Sequence, residues 1–514
     1  MLLNALRVKF GCLPAIVFLM PVVSSADLKM AAVFGDGMVL QQGMADPVWG
    51  WDVPGTEVTV RFAGQTKSAV AGTDGRWVVK LGPLAASGVG AVLAVRGTAE
   101  RAFQDVLVGE VWVCSGQSNM EWPVSASWDG DLEAMGAKFP QIRLMTVPLK
   151  GTQVPQDDFK GEWLKCAPET VGGFSAVGFY YGRRLHEILG VPVGLIDNAW
   201  GGSAAEAWVR REVLEGDERF KPLMERTVQN EARLQDPAAQ AKYEAELAAW
   251  NALPEGERAG KRGPNAPSAW LNGNARPGNI YNGSLRPTIG YGIKGVIWYQ
   301  GESNAGRAAE YADLFPTMIS NWRKDWGQGD FPFYWVQLAD FMEERKEPGE
   351  SGWAELRESQ TRTQAAVPNG GQAVIVDLGE AADIHPRNKR DVAERLARWA
   401  LAKDYGKPMV CRSPELKAAV FADGKARVTL DLFGSEKLRT LDVKELRGFA
   451  ICGEDKKWVW AEAQFAANDT LEVSAPSVAS PVAVRYGWAD NPVCNLANAE
   501  GLPVTPFRSD GPGH

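Results

Sequence analysis

Histidine is scarce in this chain: 514 residues carry three. No pair of them stands at metal-ligand spacing, which argues against a histidine-built metal centre and leaves three candidates for any catalytic imidazole. Cysteine is nearly as rare, at six, and no CxxC occurs. That excludes zinc-ribbon and dithiol redox motifs, and six cysteines in so long a chain are no disulfide framework. A basic surplus is also missing. Lys and Arg number 55 against 63 Asp and Glu, a net charge of −8, and without a basic cluster nucleic acid is not an expected partner. Beyond the first 26 residues no apolar run is long enough to span a bilayer. No repeat of solenoid period occurs.

What is present begins with an export signal. Arg7 and Lys9 precede the apolar run GCLPAIVFLMPVV, and Ser24–Ala26 supplies small residues for cleavage. The run is too short for a comfortable transmembrane helix, so the mature chain is expected to start near Asp27 and to be secreted or periplasmic. It then keeps Cys114, Cys166, Cys411, Cys452 and Cys494, and one or two bridges are compatible with that compartment. Tryptophan is plentiful, at 20 residues. Exposed indoles are common stacking surfaces for sugars.

Length suggests roughly three domains of about 150 residues. Residues 27–105 read as a small β-sandwich: EVTVRF alternates, and Asp74-Gly75 makes a turn before WVVKL. The pattern changes at Val106. VLVGEVWVC is almost continuously apolar, as in a strand covered on both faces. Further strands are expected at VPVGLID, IKGVIWYQ, FPFYWVQLA and QAVIVDL. Helical segments lie between and after them: FSAVGFYYGRRLHEILG with Ser175 as N-cap and Gly190 as stop, AAEYADLFPTMISNWRKDW, and RDVAERLARWALAKDYG. Strands alternating with helices imply an α/β fold, a doubly wound parallel sheet of five strands, over residues 106–405. A charged helical insertion occupies about 212–280, and residues 406–514 return to β signals.

Ligands of open α/β sheets sit beyond the carboxyl ends of the strands. The segments there are SGQSNM, NAWGGS, QGESN and, after DLGEAA, DIHP. Of the three histidines, His186 lies inside a helix and His514 ends the chain. His385 alone follows a strand. A serine nucleophile needs a base within hydrogen-bond reach and a group that orients the base. Ser118 and His385 fill the first two roles. Ser115 stands closer to the strand body and is expected to cap or pack. Asp383 is the nearest acid to His385; Asp197, Asp340 and Asp377 also lie near strand ends. The surroundings differ from the G-x-S-x-G elbow, because Met120 stands where its last glycine would be. Glu302 in QGESN raises a metal or glycosidase reading, which no ligand cluster and no second acid support. The chemistry needs no metal or cofactor. Oxyanion donors are sought at the backbone N–H of Ser118, at an N–H of Gly201-Gly202-Ser203, and at the side-chain amide of Gln300 or Asn304.

With these residues in view, the chain resembles the carbohydrate-acetylesterase branch of the SGNH hydrolases, and within it the sialate O-acetylesterase family. The resemblance is carried by GQSNMEW, NAWGGSAAEAW, WYQGESNAG and DIHPRNK, and runs from about Phe34 to the C-terminus. It implies a flavodoxin-like SGNH sheet, Ser118 as nucleophile, His385 as base, and Gly202 with the QGESN amide as oxyanion donors. One departure matters. The superfamily usually carries its Asp three residues before the His, and here that residue is Ala382; Asp383, a carbonyl or a dyad would serve instead.

The expected function is removal of O-acetyl groups from sugars, with O-acetylated sialic acid as the substrate the resemblance implies. A carboxylated substrate needs a local cation, and Arg286 and Arg387 are nearest to the blocks in sequence. Trp250 and Trp270 of the insertion are candidates for stacking. An acetylated plant polysaccharide is the alternative substrate, and a glycan-binding protein with a silent hydrolase core is the alternative class.

Overall fold

The computed structural model describes residues 28–259 and 261–511. The expected signal peptide and His514 lie outside the described residues.

Seven strands form the central sheet: β1 (Glu100–Gly116), β2 (Phe139–Thr146), β3 (Trp163–Cys166), β4 (Val193–Ala199), β5 (Gly295–Tyr299), β6 (Phe333–Val336) and β7 (Gly370–Ala373). Their spatial order is β3-β2-β4-β1-β5-β6-β7. β3 is antiparallel to β2, and every other pair along this path is parallel. The sheet therefore holds six parallel strands rather than the expected five. The one missed is β2, FPQIRLMT, whose Pro140 and Arg143 interrupt the apolar run that marks a buried strand. β7 is also shorter than QAVIVDL. Its partner β6 ends opposite it, with Val336 paired to Ala373, so Val374–Leu378 has no strand to extend against.

Helices cover both faces. α1 (Ala176–Leu189) and α4 (Lys389–Lys403) contribute Tyr180, Tyr181, Leu185, Leu396 and Trp399 to the apolar cluster that takes Trp112 and Cys114 of β1. α2 (Ala308–Trp326) and α3 (Gly352–Ala366) contribute Phe315, Met318, Trp322 and Leu356 to the cluster that takes Val111 and Val113. Alternate residues of one strand thus serve opposite faces, which is why VLVGEVWVC reads as continuously apolar. α1 starts and stops as its sequence indicates: Ser175 Oγ accepts the N–H of Gly178 at 3.0 Å, and Gly190 takes the left-handed conformation at φ 67°. Among the described residues no helix is long and apolar enough to cross a membrane.

β1 belongs to two parts of the molecule. Its first half pairs antiparallel with Ser87–Arg96 of the N-terminal β region, and its second half lies between β4 and β5. The expected boundary at 105/106 falls inside this strand. The region about 212–280 contains the helices Lys221–Gln235, Pro237–Ala252 and Pro267–Leu271. The C-terminal residues fold into antiparallel sheets around Val428, Ile451, Leu471 and Tyr486.

β1 ends at Gly116, which has φ 138° and runs so close to β5 that a Cβ there would lie 2.1 Å from the Tyr299 carbonyl oxygen. Gly116→Ala is expected to lower stability by about 1–3 kcal/mol through backbone strain. It should reduce kcat as well, because the displaced residue leads directly into the site. Thermal melts and turnover of the same sample check both.

Candidate active site

The turn after β1 passes through Gln117 into a short helix, Ser118–Glu121. Ser118 is its first residue, so its N–H belongs to the free donors of a helix start. Ser118 Oγ lies 2.8 Å from His385 Nε2. His385 comes from the loop before α4, and its ring is stacked by Trp122, with centroids 4.8 Å apart and planes 15° from parallel. Burial holds the imidazole below its usual pKa. The Lys389 charge acts in the same direction, and Asp383 opposes both.

Asp383 reaches His385 chiefly through the backbone, accepting its N–H at 2.9 Å. Its carboxylate stands 3.6 Å from Nδ1 and its side chain is 46% exposed. The other acids are engaged elsewhere. Asp377 pairs with Arg395, Asp340 accepts the Gly379 N–H, and Asp197 is buried with burial raising its pKa well up. Ser115 is fully buried and donates to the Asn198 carbonyl at 2.6 Å. His186 sits on α1 with Nδ1 2.7 Å from the Val191 carbonyl.

The loop after β4 turns back against Ser118. Gly202 takes φ 70°, which a glycine adopts without strain. Glu121 accepts the Gly201 N–H at 2.6 Å, so that donor is spent. The N–H groups of Ser118 and Gly202 have no backbone acceptor among the described residues. Gln300 and Asn304 differ sharply. Gln300 donates to the Ser203 carbonyl at 3.1 Å and to Asn304 Oδ1 at 2.7 Å, and its oxygen accepts from Tyr311 at 3.1 Å. Both of its amide hydrogens are consumed, so Gln300 braces the loop and is not a free oxyanion donor. Asn304 Oδ1 accepts from Gln300 and from the Ala205 N–H, while Nδ2 gives one hydrogen to Glu206 at 2.9 Å. Its second hydrogen has no acceptor among the described residues.

The expected recognition residues scatter. Arg286 pairs with Asp157 at 2.9 Å and lines a cleft with Trp49, Trp51 and Arg76, away from Ser118 and His385. Arg387 is exposed two residues from His385, with its guanidinium 3.3 Å from the Ala126 carbonyl. Sequence proximity misled for Arg286, because its segment turns toward the N-terminal β region. Trp250 lies against Gly263 within the insertion. Trp270 lines an open cavity of about 520 Å³ with Arg233, Tyr243 and Asn274. Asn274 also donates to the Gly201 carbonyl, which connects that cavity to the loop beside Ser118. Asn119, Glu121, Trp122, Asn274, Glu302 and Lys389 carry much of the site and were not picked out as site residues from sequence. Four of them lie within GQSNMEW or DIHPRNK, so the signal was their place in the blocks.

Comparison with known proteins decides the family. A crystal structure of a carbohydrate acetylesterase from Xanthomonas citri superimposes with a TM-score of 0.79 at 38% identity, over 94% of this chain and all of that one. Residues 265–398 match the family described as carbohydrate esterase, sialic acid-specific acetylesterase. The chain belongs to a family of carbohydrate acetylesterases. It is a carboxylic ester hydrolase. The mouse sialate O-acetylesterase is 29% identical over 93% of this chain and 94% of its own length, and the human one 28% identical over 95% and 94%.

Proposed function

We propose that this protein is an exported carbohydrate O-acetylesterase that works through an acetyl-enzyme on Ser118. The observation that carries the reading is the 2.8 Å contact between Ser118 Oγ and His385 Nε2 at the carboxyl end of β1. His385 is held neutral and accepts the serine proton as Oγ attacks the acetyl carbonyl. The tetrahedral oxyanion is met by the N–H groups of Ser118 and Gly202 and by the spare hydrogen of Asn304 Nδ2. The imidazolium then protonates the leaving sugar oxygen. Water enters, gives its proton to His385, and releases acetate from Ser118. A site poised this way speaks against a silent core that only binds glycans.

The preferred sugar is O-acetylated sialic acid, the substrate named for the mammalian relatives. The cavity beside Gly201 supports it. Trp270 offers an indole face, and Arg233, whose one hydrogen-bond partner among the described residues is Asn230 at 2.6 Å, offers a cation for a carboxylate. Comparing kcat/KM for 9-O-acetylated sialic acid, acetylated xylo-oligosaccharides and acetylated xylan tests this. Sialic acid should lead by at least about tenfold, and Arg233→Ala should reduce that lead with little change on xylo-oligosaccharides. Faster turnover of xylan than of sialic acid would overturn the substrate and leave the ester chemistry standing.

A further inference from the structure

A buried lysine stands behind the Ser118–His385 pair, and the steps above make no use of it. Lys389 opens α4 and is 1% exposed. Its Nζ donates to Asn119 Oδ1 at 2.5 Å. Asn119 Nδ2 in turn donates to the Ile384 carbonyl at 3.0 Å and to Glu302 Oε1 at 2.7 Å. Asn119 follows the serine and Ile384 precedes the histidine. One amide therefore ties the helix that bears Ser118 to the loop that bears His385, and Lys389 decides which way round that amide sits. Turned over, its NH2 would face an ammonium and its oxygen would face a carbonyl and a carboxylate.

The surroundings are those of an electrostatic device rather than of a packed aliphatic chain. Lys389 Nζ lies 5.7 Å from the Trp122 ring and 5.5 Å from the Tyr299 ring. Trp122 is the residue stacked on His385. The charged groups facing this pocket are Asp383 and Glu380 from the loop, Glu302 from the segment after β5, and Lys389 from α4. Glu302 Oε2 has no hydrogen-bond partner among the described residues, and burial raises its carboxyl. Burial pushes Lys389 down to about 7, against the pull of Glu302, Asp383 and Glu380.

We propose that Lys389 is a positioning residue of the esterase: through Asn119 it sets the Ser118–His385 geometry, and its charge keeps His385 in the proton-accepting form. The inference rests on the assignment of Ser118 and His385 as the reacting pair. Below about pH 7 Lys389 is cationic, and there it disfavours a second positive charge on His385. The acid limb of activity therefore lies lower with the lysine than without it. Above pH 7 the neutral amine still donates to Asn119.

Two variants separate the roles. Lys389→Met removes both charge and donor. Lys389→Gln keeps a donor toward Asn119 and removes the charge. Turnover is expressed per serine titrated with a fluorophosphonate, so misfolded protein does not count. In Lys389→Met, kcat should fall about 10- to 100-fold with KM within about twofold, because a small displacement of the reacting pair is costly. The acid limb of kcat/KM should rise by about 0.5–1 pH unit. Lys389→Gln should recover most of kcat and keep the raised limb. A lowered Tm with kcat per site and acid limb both at wild-type values marks a merely structural lysine and overturns the proposal, as does a wild-type limb in Lys389→Gln. Turnover by Ser118→Ala is the separate result that removes the assignment beneath it.

Discussion

Ser118→Ala is expected to reduce deacetylation to background while the protein melts at the wild-type temperature. Among the described residues the hydroxyl makes one hydrogen bond, to His385 Nε2, whose ring still reaches solvent. In subtilisin, a serine protease of unrelated fold, loss of the nucleophile cost about a million-fold in kcat. No neighbouring hydroxyl can substitute. Ser115 Oγ is buried and held at 2.6 Å on the Asn198 carbonyl, one strand face away from the opening. Ser115→Ala should instead cost about 1 kcal/mol of stability for the lost hydrogen bond and keep most of kcat. The check is kcat per folded molecule for both variants, with Tm alongside. An active Ser118→Ala ends the assignment, and equal losses in the two variants would mean that the turn after β1, rather than one hydroxyl, had been damaged.

The pair itself was legible in the sequence for a simple physical reason. A parallel sheet places the loops that leave its strands at one end, which sets SGQSNM and DIHP at the same edge of the sheet once the strands are recognised. The turn at Gly202 was legible because its left-handed conformation, φ 70°, is one that glycine adopts without strain. Other features depend on atoms that only the fold brings together. Nothing local distinguishes Gln300 from Asn304; the difference is that Ser203 and Asn304 use up both hydrogens of Gln300. Lys389 reads as an ordinary first-turn residue of α4, and its burial comes from the fold, which sets its Nζ on Asn119 Oδ1 and between the Trp122 and Tyr299 rings. β2 was hidden by Pro140 and Arg143, the latter buried and donating to the Gly37 carbonyl at 2.8 Å, a polar role that an apolar pattern cannot signal. Arg286 shows the converse error, since closeness in sequence to a motif says little once the chain turns away from it.

His385→Ala should cost about 10⁴- to 10⁶-fold in kcat, and Asp383→Asn about tenfold or less. The imidazole takes the serine proton, returns it to the sugar oxygen and repeats both for water, so its loss removes every proton transfer at once. Asp383 has a lesser part to lose. Its carboxylate is 3.6 Å from Nδ1 and 46% exposed, so water screens its pull, and its short contact is with the His385 backbone N–H. Ring orientation rests in large part on the stacked Trp122. The pH profile distinguishes this arrangement from a buried triad. Activity needs neutral His385, and burial places its titration below the usual histidine value, so the acid limb of kcat/KM should lie under about pH 6.5. Asp383 stabilises the protonated ring and raises its pKa. Removing that charge in Asp383→Asn must shift the acid limb to lower pH even as kcat falls. Measuring kcat/KM from pH 4 to 9 for wild type and Asp383→Asn decides it. A loss for Asp383→Asn as large as for His385→Ala would show that Asp383 closes onto Nδ1 during turnover and acts as a full triad member, and a limb that moves upward would overturn the electrostatic role given to Asp383 here.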